Sequence, residues 1–289
     1  MSRHLNDPDR IAESAVLAML FELSSSPKPG NVDRCHDFAD IGFHHFLASA
    51  VSSYPVFRKA AQKAHEGEGG VGSLILQAVD AWKGWDLQSN THFGALTLMM
   101  PIALAAARPG ELHDEVRGVL NKTTVADAVD FYRAFRQAGA RVADVERFSL
   151  NEAGWEEGLR ASEKTLLDLM QLSAGHDLIA REWSSGYQRT FLLAERIGKE
   201  TELWGINDGI VRVFLEALYE EPDSLICAKF GIEEARQVSK KAGEALSDKT
   251  LKKARELDAD LLQRDINPGS TADLIAAALF ISLLSGLRF

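Results

Sequence analysis

Cysteine is scarce: Cys35 and Cys227 are the only two in 289 residues. Two thiols so far apart exclude a disulfide framework and a cysteine-ligated zinc site, and they fit a reduced, cytoplasmic protein. Positive charge is also in deficit, with 32 Lys and Arg against 42 Asp and Glu and a formal net charge of −10. That sign argues against a nucleic-acid partner, which must be held by many phosphate-neutralising cations. A small anionic substrate stays compatible, because a few local cations, helix N-termini or a bound cation outweigh the global field. Long hydrophobic runs are missing: the longest, 274–287, is too short to span a bilayer, and the opening MSRHLNDPDR lacks the apolar core of a signal peptide. No membrane partner is therefore expected. Absent too are G-x-x-x-x-G-K-[ST], G-x-G-x-x-G after a strand, G-x-S-x-G and H-E-x-x-H, which disfavours P-loop phosphoryl transfer, Rossmann redox chemistry, the hydrolase elbow and zincin hydrolysis.

Period-two alternation does not occur, whereas apolar residues recur at helical spacing almost throughout. The pattern predicts an all-α fold, a single compact domain of about a dozen helices over 1–289. They are expected near 8–24, 40–53, 55–65, 71–84, 92–107, 112–120, 124–138, 158–172, 175–197, 207–221, 231–246, 249–264 and 270–287. Asp7 or Asp9 is the expected cap of the first. The apolar helices 92–107 and 274–287 suit a core or, in part, the interface of a homo-oligomer. Neighbouring His44 and His45 suit packing or surface better than metal ligation.

Polar residues concentrate at helix ends in four places. The first, Pro27 to Asp37, is a Pro/Gly turn that delivers Lys28, Asp33, Arg34, His36 and Asp37 within a few residues. Carboxylates, a histidine and cations so close together suit a metal–phosphate group, or else a solvated turn. The second, Ser89 to Gly94, precedes a very apolar helix; Asn90 or Thr91 is either a plain N-cap or part of a phosphate cradle with His92 as donor. The third places His176 and Asp177 at a glycine-opened helix start, with Asp177 either cap or metal ligand and Arg181 in position to pair with it. Nearby, Asn207 and Asp208 fall at another helix start, where capping is the simpler role. The fourth, Asn267 to Leu274, is an Asn-Pro-Gly turn followed by Ser270 and Asp273 in capping-box spacing.

Together and in this order, the four segments resemble the triphosphoribosyl-dephospho-CoA synthase family. The resemblance rests on S-x-P-K-P-G-x-V-D at Ser25 to Asp33, N-T-H-x-G at Asn90 to Gly94, the His176–Asp177 helix start, and N-P-G-x-T-A-D-L at Asn267 to Leu274. It spans nearly the whole chain and marks a divergent member. Phe93 stands where the family leads one to expect a lysine, and His36-Asp37-Phe-Ala-Asp40 replaces an H-x-D-M-D-like run.

The resemblance implies a helical transferase that joins the triphosphoribosyl part of ATP to the 2′-hydroxyl of 3′-dephospho-CoA and releases adenine. That is glycosyl transfer through an oxocarbenium-like centre. It needs a carboxylate near the cation or as base, a donor to the departing base, and cations on the triphosphate. On that footing Asp33, Asp37, Asp177 and Asp208 are candidate Mg²⁺ ligands or bases, and His36, His92 or His176 candidate donors to adenine. Lys28, Gly30, Arg34, Asn90, Thr91, Arg181, Asn267 and Asp273 are candidate nucleotide contacts. The alternatives are a related transferase acting on another ribosyl or pterin-linked acceptor, a nucleotide or ADP-ribosyl hydrolase, and a non-enzymatic helical binding protein.

Overall fold

The computed structural model describes residues 7–38, 41–66, 70–87, 90–140 and 154–289; Asp40, Ser89 and the glycines of the 65–70 stretch other than Gly70 lie outside them. Among the described residues there are fourteen α-helices, one 3-10 turn at Lys83–Trp85 and no strand. None of these helices is long and apolar enough to cross a membrane.

Two helices carry almost no polar face, and the rest of the fold is arranged around them. α4 (Phe93–Ala106) and α14 (Gly269–Leu284) are buried along nearly their whole length, as expected for helices that are apolar on every side. They pack against each other, and α1 (Pro8–Ser24), α2 (Phe43–Glu66) and α3 (Val71–Trp82) lie against this pair or its neighbours. α5 (Leu112–Leu120) closes on α4, and α6 (Val125–Gln137) covers α3. α7 (Trp155–Ala161), α8 (Leu166–Ser173) and α9 (Leu178–Ser185) follow. The 33-residue α10 (Gln188–Glu220) runs along α14, and α11 (Ser224–Phe230), α12 (Ile232–Leu246) and α13 (Lys252–Gln263) complete the chain before α14. Local chemistry sets several of these starts: Asp7 caps α1, while Thr124 with Asp127 and Thr165 with Asp168 form reciprocal capping boxes at α6 and α8.

Several boundaries differ from the periodicity, and the single helix expected over 158–172 is two, α7 and α8, because Thr165 caps a new start. The break expected at residue 54 is absent, since α2 runs through Pro55. Pro55 leaves the Val51 carbonyl without its helical donor, but Val51 is 56% exposed, so water can reach that carbonyl. The helix expected over 175–197 is cut at Gly186, which adopts φ 71° and lets its amide and that of Tyr187 close on Trp183 and Glu182 carbonyls. α10 instead continues to Glu220, interrupted only at Gly205 (φ 77°, ψ 168°), so Ile206 to Asp208 open its second half. α11 lies in a stretch read as a connection.

The difference at α14 is the most informative. Ser270 and Asp273 do not form a capping box: no side chain within the turn caps α14, and the Ser270 hydroxyl meets Ser224 instead, at 2.8 Å. The cap arrives from another element. Asp223 accepts from the Leu225 and Ile226 amides of α11 through one oxygen (2.9 and 3.2 Å), and from the amide and hydroxyl of Thr271 through the other (2.7 and 2.8 Å). One buried carboxylate thus holds two helix starts together. Replacing it leaves both without their acceptor, so Asp223→Ala is expected to lower unfolding stability by about 2–4 kcal/mol. Urea denaturation measures this, and a loss below about 0.5 kcal/mol, within the range of an ordinary surface substitution, would contradict the double cap.

Candidate active site

The segment after α1 cannot be helical, because Pro27 and Pro29 lack amide donors. It is not a solvated turn either. Asn207, at the start of the second half of α10, clamps Ser26 from both sides: its Oδ1 accepts from the Ser26 amide at 3.1 Å and its Nδ2 donates to the Ser26 carbonyl at 2.9 Å. The helix-capping role expected of Asn207 is thereby replaced by a tie to a loop 181 residues away. Gly30 takes φ 72°, and a Cβ there would collide with the Ile266 carbonyl and Leu261; its amide donates to Asp258 Oδ1 of α13 at 2.9 Å. Only glycine satisfies both demands.

Lys28 is fully buried and its ammonium rests on the Glu22 carboxylate of α1, with Asn31 Oδ1 at 3.3 Å and the Val32 carbonyl at 3.5 Å. Its charge is therefore matched inside the fold and is not presented to a triphosphate, as the sequence had led one to expect. Burial pushes the Glu22 carboxyl above its ordinary range, against the pull of Lys28. Asn31 Nδ2 then donates to Asn267 Oδ1 at 3.0 Å, which joins the first polar segment to the fourth.

Beyond the turn, Asp33 and His36 pair backbone to backbone at 3.2 and 3.3 Å. Asp33 Oδ1 accepts from the Cys35 amide at 2.7 Å, whereas its Oδ2 is buried with no hydrogen-bond partner. His36 Nδ1 lies 3.3 Å from Asp258 Oδ2 and 3.5 Å from Asp33 Oδ1. Burial raises the Asp258 carboxyl, and neighbouring Asp33 adds to the rise. Arg34 is exposed and donates to Asn207 Oδ1 at 3.1 Å. Asp37 Oδ1 accepts from the Phe43 amide at 2.6 Å, serving as acceptor at the start of α2.

In the second segment Asn90 supplies the cap, accepting from the Phe93 amide at 3.1 Å. Thr91 is buried with its hydroxyl unpartnered. His92 is 2% exposed, its Nδ1 2.5 Å from Ser49 Oγ and its ring edge-on to Phe46, while Nε2 has no partner. Burial, with Lys28 nearby, lowers the His92 pKa to about 3 and keeps the ring neutral. Phe93 packs between Phe131 and Phe135, at 5.4 and 5.6 Å between rings, so this position belongs to the core. A Cβ at Gly94 would overlap the carboxyl of Asp273, which reaches across from α14.

Asp177 caps α9, its Oδ1 accepting from the Ile179 and Ala180 amides at 2.7 and 3.0 Å. Arg181 does not pair with it. Its guanidinium turns to Glu221 and to the Ala174 and Gly175 carbonyls, at 2.9 and 3.3 Å for the latter two. His176 is exposed, and Asp208 accepts from Asn207 Nδ2 at 2.9 Å. The Asp273 carboxyl is pushed well above the carboxylate range by burial, then by Glu22, Asp223 and Asp177, opposed by the Ala95 amide.

The ends of α1, α4, α9, α11 and α14 and the loop 25–38 thus meet in one polar junction. It gathers Glu22, Lys28, Asn31, His92, Asn267 and Asp273, joined through the loop to Asp33, His36 and Asp258, and through the helix starts to Asp177 and Asp223. His176 stands apart, and Asp37 and Asp208 are engaged in local contacts. Glu22, Ser49, Asp223 and Asp258 were missed by sequence reasoning. Glu22 and Asp258 leave a trace there, because each falls on its helix's buried stripe, Asp258 with Ala254, Leu257 and Leu261.

The model of the CitG family, ATP:dephospho-CoA triphosphoribosyl transferase, matches residues 8–288. The chain belongs to this family. CitG-family relatives include a probable 2-(5″-triphosphoribosyl)-3′-dephosphocoenzyme-A synthase of Streptococcus equi subsp. equi, 26% identical over 96% of this chain and 97% of that protein. Another of the same name, from Pseudomonas fluorescens Pf-5, is 26% identical over 94% and 90%. A crystal structure of a putative triphosphoribosyl-dephospho-CoA synthase from Archaeoglobus fulgidus superposes with TM-score 0.70 at 27% identity, covering 84% of this chain and all of that one.

The buried histidine gives this CitG-family fold a definite acid response. His92 takes up a proton near 6.5 when unfolded and only near 3 when folded, so its contribution is complete above pH 6.5 and is lost as pH falls toward 3. His92→Gln is therefore expected to flatten the acid-side decline by up to about 1.4 kcal/mol per pH unit across that window. Denaturant titrations of both proteins from pH 7 to 4 measure it; parallel curves would contradict a buried neutral ring.

Proposed function

We propose that this chain transfers the triphosphoribosyl part of ATP to the 2′-hydroxyl of 3′-dephospho-CoA with release of adenine, as a cytoplasmic enzyme. The observation that carries the reading is the junction itself: four segments distant in sequence converge there, and they are the segments on which the family likeness rests. Independent caps and turns have no reason to meet.

A C1′ centre losing adenine develops positive charge, and the junction is rich in carboxylate oxygens with which to stabilise it. Asp33 is the nearest match to a metal-holding group, because its Oδ2 is buried and unpartnered. Among the described residues no set of three or more His, Cys, Asp or Glu forms a cage. A Mg²⁺ that keeps mostly phosphate oxygens and water, with one protein carboxylate, fits that donor set. When bound, it would neutralise triphosphate charge. Arg34, exposed beside the loop, and the α4 start at Asn90 and Thr91 are proposed to meet the phosphates; Lys28 orders the loop from within.

Purified protein given ATP, Mg²⁺ and 3′-dephospho-CoA is expected to yield free adenine and a triphosphoribosyl adduct in equal amounts, resolved by chromatography and mass. Adenine formed without acceptor would overturn the transferase reading in favour of a hydrolase, and no adenine would overturn both. Asp33→Asn is expected to raise the Mg²⁺ needed for half-maximal rate by about a hundredfold.

A further inference from the structure

We propose that Asp273 is the general acid of this reaction, the group that protonates adenine as its bond to the ribose breaks; this rests on the transferase reading above. Adenine leaves poorly as an anion, so a proton must reach its N7 while the C1′–N9 bond opens. The histidines are badly placed to supply it. His176 is exposed on the turn before α9. His36 lies against Asp33 and Asp258 instead. His92 is kept neutral by burial and by Lys28, so it carries no surplus proton at working pH.

Asp273 has the opposite surroundings. Its carboxyl fills the space that Gly94 leaves at the start of α4, and the residue as a whole is half-buried. Burial, and then the carboxylates of three other elements, push its carboxyl up: Glu22 on α1, Asp223 at the start of α11 and Asp177 at the start of α9. Each of these has its own charge-matching partner. Glu22 holds Lys28, Asp177 accepts two amides of α9, and Asp223 accepts two amides of α11 together with the amide and hydroxyl of Thr271. For Asp273 only the Ala95 amide opposes the rise, and among the described residues it has no ion pair. A carboxyl crowded by three other acids and matched by fewer donors than any of them keeps its proton. Just before α4, the Thr91 hydroxyl and His92 Nε2 are buried polar atoms without partners, as expected of a surface that is completed by a ligand.

In the step proposed, the C1′–N9 bond breaks with its electron pair going to adenine, and the Asp273 proton moves to N7. The C1′–O2′ bond forms with the acceptor hydroxyl, whose proton passes to solvent. Asp273 regains a proton from solvent after adenine departs.

The test compares ATP with 7-deaza-ATP, which has no N7 to protonate, in wild type and in Asp273→Asn, with dephospho-CoA as acceptor. Wild type is expected to turn over the analogue on the order of a hundredfold to a thousandfold more slowly than ATP. Asp273→Asn is expected to lose a similar factor with ATP, to lose little more with the analogue, and to lack the alkaline limb of the rate profile. Asp273→Glu, which restores an acid, is expected to recover the discrimination. Thermal melting and calorimetric ATP binding verify that both variants remain folded and loaded. A wild type indifferent to the analogue, or an Asp273→Asn variant that still discriminates, would overturn the acid role. Failure of the wild type to release adenine from ATP would instead overturn the transferase reading.

Discussion

A lysine ammonium shut away from water must keep its carboxylate, and the Glu22–Lys28 pair imposes that condition on everything around it. Removing one partner of such a pair typically costs about 3–5 kcal/mol, because the other charge is left stranded. Here the pair fixes the loop after α1 to the helix that precedes it. With Lys28 anchored, Asn31 is in place to meet Asn267, Gly30 to meet Asp258, and Ser26 to meet Asn207. Elements from both ends of the chain are thereby held on one loop. Lys28 thus shapes the site and helps keep His92 neutral.

The same electrostatic logic explains how a chain of net charge −10 can be built to handle anionic nucleotides. Four of its site acids are answered one by one. One is matched by a lysine, two are matched by helix amides, and the most crowded of them is held protonated. The surface charge therefore says little about the site, where local pairing and burial decide what a ligand meets.

Much of the fold was legible in sequence, because helical periodicity is a property of neighbouring residues. So was the candidate site: the loop at 25–38, the turn at 90–94, the helix start at 177 and the turn at 267–273 all reach the polar junction. What was not legible depends on partners distant in the chain. Lys28 resembles a phosphate contact until Glu22 is known to lie under it. Ser270 and Asp273 have the spacing of a cap, yet Asp223 occupies that role across 48 residues. Asn207 reads as a cap and turns out to be a clamp. Pairwise spacing cannot reveal a donor satisfied from another helix.

In the triphosphoribosyl transfer, ATP is opened at its glycosidic bond while its three phosphates stay together on the ribose. ATP labelled in adenine and at the γ-phosphate, incubated with the protein, Mg²⁺ and 3′-dephospho-CoA, tests this most directly. The account requires the adenine label to appear as free adenine and the phosphate label to be retained in the acceptor product. Adenine label recovered in ADP, with γ-phosphate transferred or released alone, would contradict it.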